Sequence, residues 1–162
     1  REAVHEYREI RSRIEEVVGS VNGAHSTPGR VAVQYFRRSL TRSEIVAYYC
    51  AADVMLVTPF RDGMNLVAKE YVASRTHSDG VLVLSEFAGA AHELQQALQV
   101  NPRDIDRMAD VFGTALRLPP EEARRRMRTL RRTVRQHDVH AWSTSFFEVL
   151  RGATPSQRNH SE

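Results

Sequence analysis

The chain has 162 residues, 41% of them hydrophobic, and a formal net charge of +3, which suits one soluble globular domain with a sizeable core. It holds no apolar run near the roughly 20 residues of a membrane helix and no signal-like opening segment. It begins at Arg1 rather than Met, so we expect a cytosolic protein and a sequence excerpted from something longer. A lone Cys50 excludes an intrachain disulfide and a cysteine-based zinc cluster.

In chain order, Val4, Tyr7, Ile10, Ile14, Val17 and Val21 recur at spacings of three and four and predict an amphipathic helix over residues 1–22, stopped by Asn22-Gly23. A polar loop with Ser26, Thr27, Pro28 and Gly29 follows, then a β-branched and aromatic run from Val31 to Phe36 that reads as a short strand. Thr41 with Glu44 forms a capping-box pattern and starts a helix through Ala52. Cys50, beside Tyr48, Tyr49 and Ala51, is expected in the core of that helix. Val54 to Val57 reads as a buried strand that Pro59 ends, and Asn65 to Tyr71 reopens as helix.

Ser78-Asp79-Gly80 then punctuates the chain, and Val81 to Leu84 suits a strand buried on both faces. Ser85 to Ala91 makes a small-residue turn, His92 to Ala97 a short helix and Leu98 to Val100 a short strand. Asn101-Pro102 breaks the chain before a helix near Asp104 to Leu118, and Pro119-Pro120 separates that helix from an Arg-rich one. Val139 to Leu150 is a last amphipathic stretch, and residues 152–162 read as a disordered polar tail. Strands alternating with helices predict an α/β, Rossmann-like parallel sheet with right-handed crossovers, one domain over residues 1–151.

Several residue groups have two readings. The arginines from Arg124 to Arg135 could meet nucleic acid, but Met127, Leu130 and Val134 make an apolar stripe opposite them, which favours a solvated helix face. Lys69 is the one Lys among 23 basic residues. The seven histidines, His5, His25, His77, His92, His137, His140 and His160, show no compact ligand spacing, so no metal is expected. Trp142, Phe146 and Phe147 read most simply as core packing.

The turn Arg61-Asp62-Gly63-Met64-Asn65 lies between an apolar strand and a helix start. Ligands of open α/β sheets gather there, because the first helical N–H groups are unpaired and suit anionic or hydroxyl-rich partners. Taken by residue type alone, Asp62 and Glu70 could equally be a turn acid and an exposed helix acid. Arg61 could contact a ligand or pair with a neighbouring acid. Residues 86–91 could be a capping turn or a second wall of the same pocket.

RDGMNLVAKEY after DVMLVTP, then GVLVLSEFAGAAHEL and VNP, with Arg1, Tyr7, SLTRSEI and HDVHAWSTSFF, resembles the trehalose-6-phosphate synthases of glycosyltransferase family 20. The resemblance covers nearly everything before the tail and corresponds to the C-terminal, nucleotide-sugar half of a two-domain GT-B fold, without its first strands. It implies retaining transfer of glucose from a nucleoside diphosphate donor, usually UDP-glucose, to glucose 6-phosphate, with no metal or cofactor. Asp62 would accept hydrogen bonds from donor-glucose hydroxyls and orient the sugar without attacking it.

Gly63 would admit close backbone approach, the backbone of Met64, Asn65, Leu66 and Val67 would lie along the sugar and diphosphate, and Ala68 and Lys69 would belong to the same donor-binding segment. Glu70 would take the ribose diol, Leu40 would read the base through its backbone, and Arg1 would bind the acceptor phosphate. Lys69 reads as a solvated surface side chain rather than a catalytic one. The implied partners are a nucleotide sugar, a sugar phosphate and an N-terminal acceptor domain, with a homo-oligomer left open and neither nucleic acid nor membrane expected. That acceptor domain and the family's Arg and Lys for the leaving diphosphate lie upstream of this sequence, so the chain alone is expected to be inactive. A validamycin-synthase-like pseudo-glycosyltransferase and a non-catalytic module that keeps the donor pocket are the competing functions.

Overall fold

In the computed structural model, residues 5–137 and 139–152 are described. Arg1, the polar tail beyond Gly152 and the side chains of His140 and Trp142 lie outside that description. The chain divides into two compact units, Arg1–Leu40 and Thr41–Glu162. No helix among the described residues is long and apolar enough to cross a membrane.

The first unit is built on α1, His5–His25. The helix passes through Asn22-Gly23 instead of stopping there, and the Ser26 amide still bonds to the Asn22 carbonyl at 3.0 Å. A helical Gly costs about 1 kcal/mol, which neighbouring bonds offset. The Asn22 side chain is used elsewhere, accepting from the Val33 amide at 2.8 Å and donating to the Val33 carbonyl at 2.9 Å. Thr27 and Arg30 exchange backbone bonds across a turn in which Gly29 has φ 79°. The expected strand at Val31 to Phe36 is not formed. Its residues have high β propensity, but a strand needs a ladder, and here the Asn22 amide takes the place of one at Val33.

The second unit is a parallel three-stranded sheet in the order β1-β2-β3, with β1 at Val54–Val57, β2 at Val81–Ser85 and β3 at Leu98–Val100. Helices α2 (Arg42–Ala51), α3 (Leu66–Ser74), α4 (Ile105–Leu116), α5 (Pro120–Gln136) and α6 (Val139–Gly152) complete it. Central β2 is buried throughout. Leu82 and Leu84 enter one core with Tyr71, Val72, Met127 and Leu130, whereas Val81 and Val83 enter another with Val100, Ala115 and Ala123. That two-sided burial is what a continuous apolar run predicts for an inner parallel strand. The expectation of a buried β1 fails at Leu56, which is 45% exposed; among the described residues β1 is an edge strand, paired with β2.

Local signals set the helix starts. Thr41 accepts from the Glu44 amide while the Glu44 carboxylate accepts from the Thr41 amide at 2.8 Å, so the capping box that begins α2 is formed. Asp104 caps α4, and Pro120 occupies the first turn of α5, where a missing N–H costs nothing. The Arg-rich helix is a solvated face, as its stripe predicts: Glu121 pairs with Arg124, and Glu122 with Arg125 and Arg126. The exposed Glu121–Arg124 pair contributes little, Glu122 and Arg126 are half-buried, and the Arg125 side chain in particular holds the Glu122 carboxyl below its ordinary range.

Three further expectations need correction. Phe146 and Phe147, read as core packing, are exposed. Cys50 is exposed, and Tyr49, one position earlier on α2, takes the buried place at 9% exposure. The next residue on a helix is turned about 100° away, so a one-residue error in the apolar face reverses the assignment. Glu93 to Ala97 is not helical; a short 3-10 turn forms instead at Gly89–His92.

Candidate functional site

β1 and β2 run parallel, so the segments leaving their carboxyl ends emerge on one side of the sheet. These two segments are sewn together by backbone. The Asp62 amide donates to the Phe87 carbonyl at 3.3 Å, the Gly89 amide to the Asp62 carbonyl at 2.9 Å, and the Ala90 amide to the Met64 carbonyl at 2.7 Å. Asp62 and Ala88 form an isolated parallel bridge. The turn after β1 therefore continues the sheet's pairing and gains the rigidity of a strand.

Within the turn, Asp62 is the organising side chain. One carboxylate oxygen accepts from the Met64 amide at 3.1 Å and the other from the Asn65 side-chain amide at 3.0 Å. Asn65 in turn accepts from the Ala68 amide at 2.8 Å and so caps α3. Its backbone is left-handed, with φ 71°, a region that Asn tolerates better than most residues. The Met64 amide above all, then the Asn65 side chain, holds the Asp62 carboxyl below its ordinary range, against the opposing effect of desolvation. Asp62 is thus an anion near neutral pH, with lone pairs left for hydroxyl donors.

Two first-turn amides of α3, those of Leu66 and Val67, have no carbonyl four residues behind them within the helix, and both residues are exposed. Ala68 is fully buried with its amide capped by Asn65. Gly63 and Met64 are exposed beside Asp62, and a side chain at Gly63 would meet nothing within 4 Å. A cleft of about 430 Å³ opens here, lined by Phe60 to Gly63 on one side and by Glu86 to Gly89 with His92 on the other. Residues 86–89 line the far side of this cleft, and Ala88 is also the N-cap of the 3-10 turn at Gly89–His92. Arg61 lines the cleft, is exposed, and has no ion-pair partner among the described residues.

Lys69 is not the solvated surface residue that one reading expected. Its side chain is 15% exposed, and Nζ lies 2.8 Å from Glu93 Oε2, tying α3 to the segment after the 3-10 turn. Glu70, one position on, is exposed and accepts from the Tyr49 hydroxyl at 3.1 Å. Burial, and secondarily the Glu70 carboxylate, raises the Tyr49 pKa above its ordinary value.

The structure thus brings Asp62, Gly63, Met64, Asn65, Leu66, Val67, Ala68, Lys69 and Glu70 into one turn and helix. Leu40 belongs to the other compact unit and is half-buried, and Arg1 lies outside the described residues. Sequence reading missed Tyr49, Glu93, His92 and Gly89 as individual contributors. The first two reach the motif from 21 and 24 residues away, a distance at which spacing carries no signal.

The sequence model of glycosyltransferase family 20 matches residues 1–152. The chain belongs to glycosyltransferase family 20. It is 52% identical over 155 residues to a trehalose-6-phosphate synthase of Mycobacterium avium, a match covering 96% of this chain and 32% of that protein. An alpha,alpha-trehalose-phosphate synthase (UDP-forming) from Burkholderia xenovorans, solved in complex with glucose-6-phosphate, superposes with a TM-score of 0.89 at 42% identity, covering 93% of this chain and 33% of that one. An E. coli structure bound with UDP-2-fluoro glucose gives 0.90 at 39% identity, covering 96% and 35%. The chain therefore spans about a third of the relatives it matches. Its sheet and flanking helices are a Rossmann-like part of the fold of these family 20 synthases.

Proposed function

We propose that this chain supplies the donor site for the synthesis of trehalose 6-phosphate, in which glucose passes from a nucleoside diphosphate donor, UDP-glucose foremost, to glucose 6-phosphate with retention at the donor carbon. The observation that carries this reading is the anchored Asp62 carboxylate beside the open first turn of α3. A carboxylate suits sugar hydroxyls, and helix N-terminal amides suit a diphosphate. A relative solved with UDP-2-fluoro glucose and another solved with glucose-6-phosphate support the same pair of substrates.

Each group then has a task. Asp62 accepts from the glucose hydroxyls and fixes the ring. The backbone at Gly63 and Met64 lies along the sugar, and the amides of Leu66 and Val67 face the diphosphate. Glu70 accepts from the ribose hydroxyls, and the Leu40 backbone meets the base. Arg1 binds the acceptor phosphate, for which a guanidinium is geometrically suited. The leaving phosphate takes the proton of the acceptor hydroxyl on the same face as the broken bond, so no protein nucleophile, metal or cofactor is needed. Positioned donors stabilise the charge that develops. The reaction's small, polar substrates fit a cytoplasmic protein.

Calorimetric titration of the purified protein with UDP-glucose and GDP-glucose tests the donor reading. Saturable binding of one of them supports it, and binding of neither overturns it.

A further inference from the structure

The Tyr49 hydroxyl donates to Glu70 from a different helix, and nothing in the donor reading uses it. We propose that Tyr49 is a positioning residue for the donor: it holds the Glu70 carboxylate in the one orientation that receives both hydroxyls of a nucleotide ribose. This rests on the donor reading of Glu70.

Tyr49 is itself immobilised. Its ring is 9% exposed and packs edge-on to Tyr71, with centroids 6.2 Å apart. Its backbone carbonyl accepts from Arg75 Nη1 at 3.1 Å, and that same nitrogen bonds to the Cys50 carbonyl. Arg75 is 4% exposed, forms the C-cap of α3, and is braced by the Asp79 carboxylate at 3.1 Å. The end of α2 is therefore bolted to the end of α3, and the phenol cannot follow a moving carboxylate.

Glu70 stands exposed on α3, where a Glu side chain otherwise samples many rotamers, and ordering one on binding costs about 0.5–1.5 kcal/mol. Tyr49 O–H takes Oε2 at 3.1 Å, which leaves Oε1 and one lone pair of Oε2 for two adjacent hydroxyls. The phenol's raised pKa keeps it protonated, and thus a donor, throughout the neutral range. A diol needs two acceptor directions at a fixed spacing, and a carboxylate held at one oxygen presents them before the ligand arrives.

The effect should be confined to ligands that carry the ribose hydroxyls. The test is titration of the purified protein, Tyr49→Phe and Glu70→Gln with the tighter-binding of UDP and GDP and with its 2′,3′-dideoxy analogue. The unaltered protein should prefer the ribonucleotide, and Glu70→Gln should abolish most of that preference. Tyr49→Phe should weaken ribonucleotide binding about three- to tenfold, the range of one hydrogen bond, and leave dideoxy analogue binding unchanged.

Equal weakening of both ligands by Tyr49→Phe would mark a merely structural role and overturn the proposal, as would no change in either. If Glu70→Gln leaves the preference intact, the ribose role of Glu70 fails and Tyr49 with it. No nucleotide binding at all by the unaltered protein overturns the donor reading itself, an outcome distinct from the other three.

Discussion

Gly89 and Gly63 meet backbone to backbone: a Cβ on Gly89 would lie 2.9 Å from the Gly63 carbonyl carbon, closer still to its oxygen, and 3.3 Å from the Met64 Cα. No side chain can yield there, because the neighbours are main chain. Gly89→Ala should therefore push the two walls of the cleft apart, costing about 1–3 kcal/mol of stability as overpacking does and weakening UDP-glucose binding with it. Gly63→Ala, which would meet nothing within 4 Å beyond its own chain neighbours, should leave the melting temperature nearly unchanged while still obstructing the donor. Thermal unfolding and donor titration of the two variants check the contrast. Equal melting temperatures would show that the walls are not rigidly joined.

Asp62→Asn should be as damaging as Asp62→Ala. The new amide could offer its oxygen to the Met64 N–H, but its NH₂ would then face the Asn65 NH₂, which now donates to Asp62. Asn65 cannot turn to accommodate it without withdrawing its oxygen from the Ala68 amide. Donor binding should fall at least about tenfold in both variants, the scale of a lost charged hydrogen bond. Near-normal UDP-glucose binding by the Asn variant would show that the charge and the relay are dispensable.

The same relay predicts a pH profile. The folded-state pKa of Asp62 is depressed, so its contribution is complete above the unfolded carboxylate value of about 3.9 and is lost only as pH falls through the lower, folded value. Carboxyl NMR should find Asp62 still ionised where ordinary aspartates have begun to protonate. A midpoint at or above the ordinary value would contradict the observed bonds.

How much of this was legible in the sequence depends on how far each cause acts. The capping box of α2 needs only Thr41 and Glu44, three residues apart, and it formed as read. β2 announced itself because burial on both faces writes a continuous apolar run. The strand expected at Val31 to Phe36 was not legible, since a ladder depends on a partner elsewhere, and the Asn22 side chain claimed Val33 instead. In the site, Asp62, Asn65 and the start of α3 could be read from the turn itself. The left-handed backbone of Asn65 and the Glu93 partner of Lys69 could not, because both are set by how the two turns pack.

Lys69 and Glu93 form a half-buried pair across that packing. Removing one partner strands the other, so Glu93→Ala should cost about 1–3 kcal/mol. In the double variant with Lys69→Met the second change should cost much less, a coupling of about 0.5–3 kcal/mol. Denaturant unfolding of the four proteins gives the cycle. Strict additivity would mean that the ion pair does not hold the 3-10 turn against α3.

Tyr71 should govern the alkaline limit. Burial pushes its pKa up to about 12, and its hydroxyl donates to the Ala52 carbonyl at 3.2 Å. A folded pKa raised above the unfolded value of 10.0 gives stability that is fully present below pH 10 and lost as pH climbs toward 12. Tyrosinate absorbance should show this phenol ionising only as the protein unfolds. Its titration near pH 10 in folded protein would contradict the burial.

The central claim is that the segment from Asp62 to Glu70 grips a nucleoside diphosphate glucose. Its most direct test is calorimetric titration of the purified protein with UDP-glucose beside Asp62→Ala and Glu70→Ala. The account predicts saturable binding by the unaltered protein and at least about tenfold weaker binding by Asp62→Ala, again the loss of a charged hydrogen bond. Glu70→Ala should weaken UDP as well as UDP-glucose. Binding of UDP-glucose that is unchanged in both variants would contradict it.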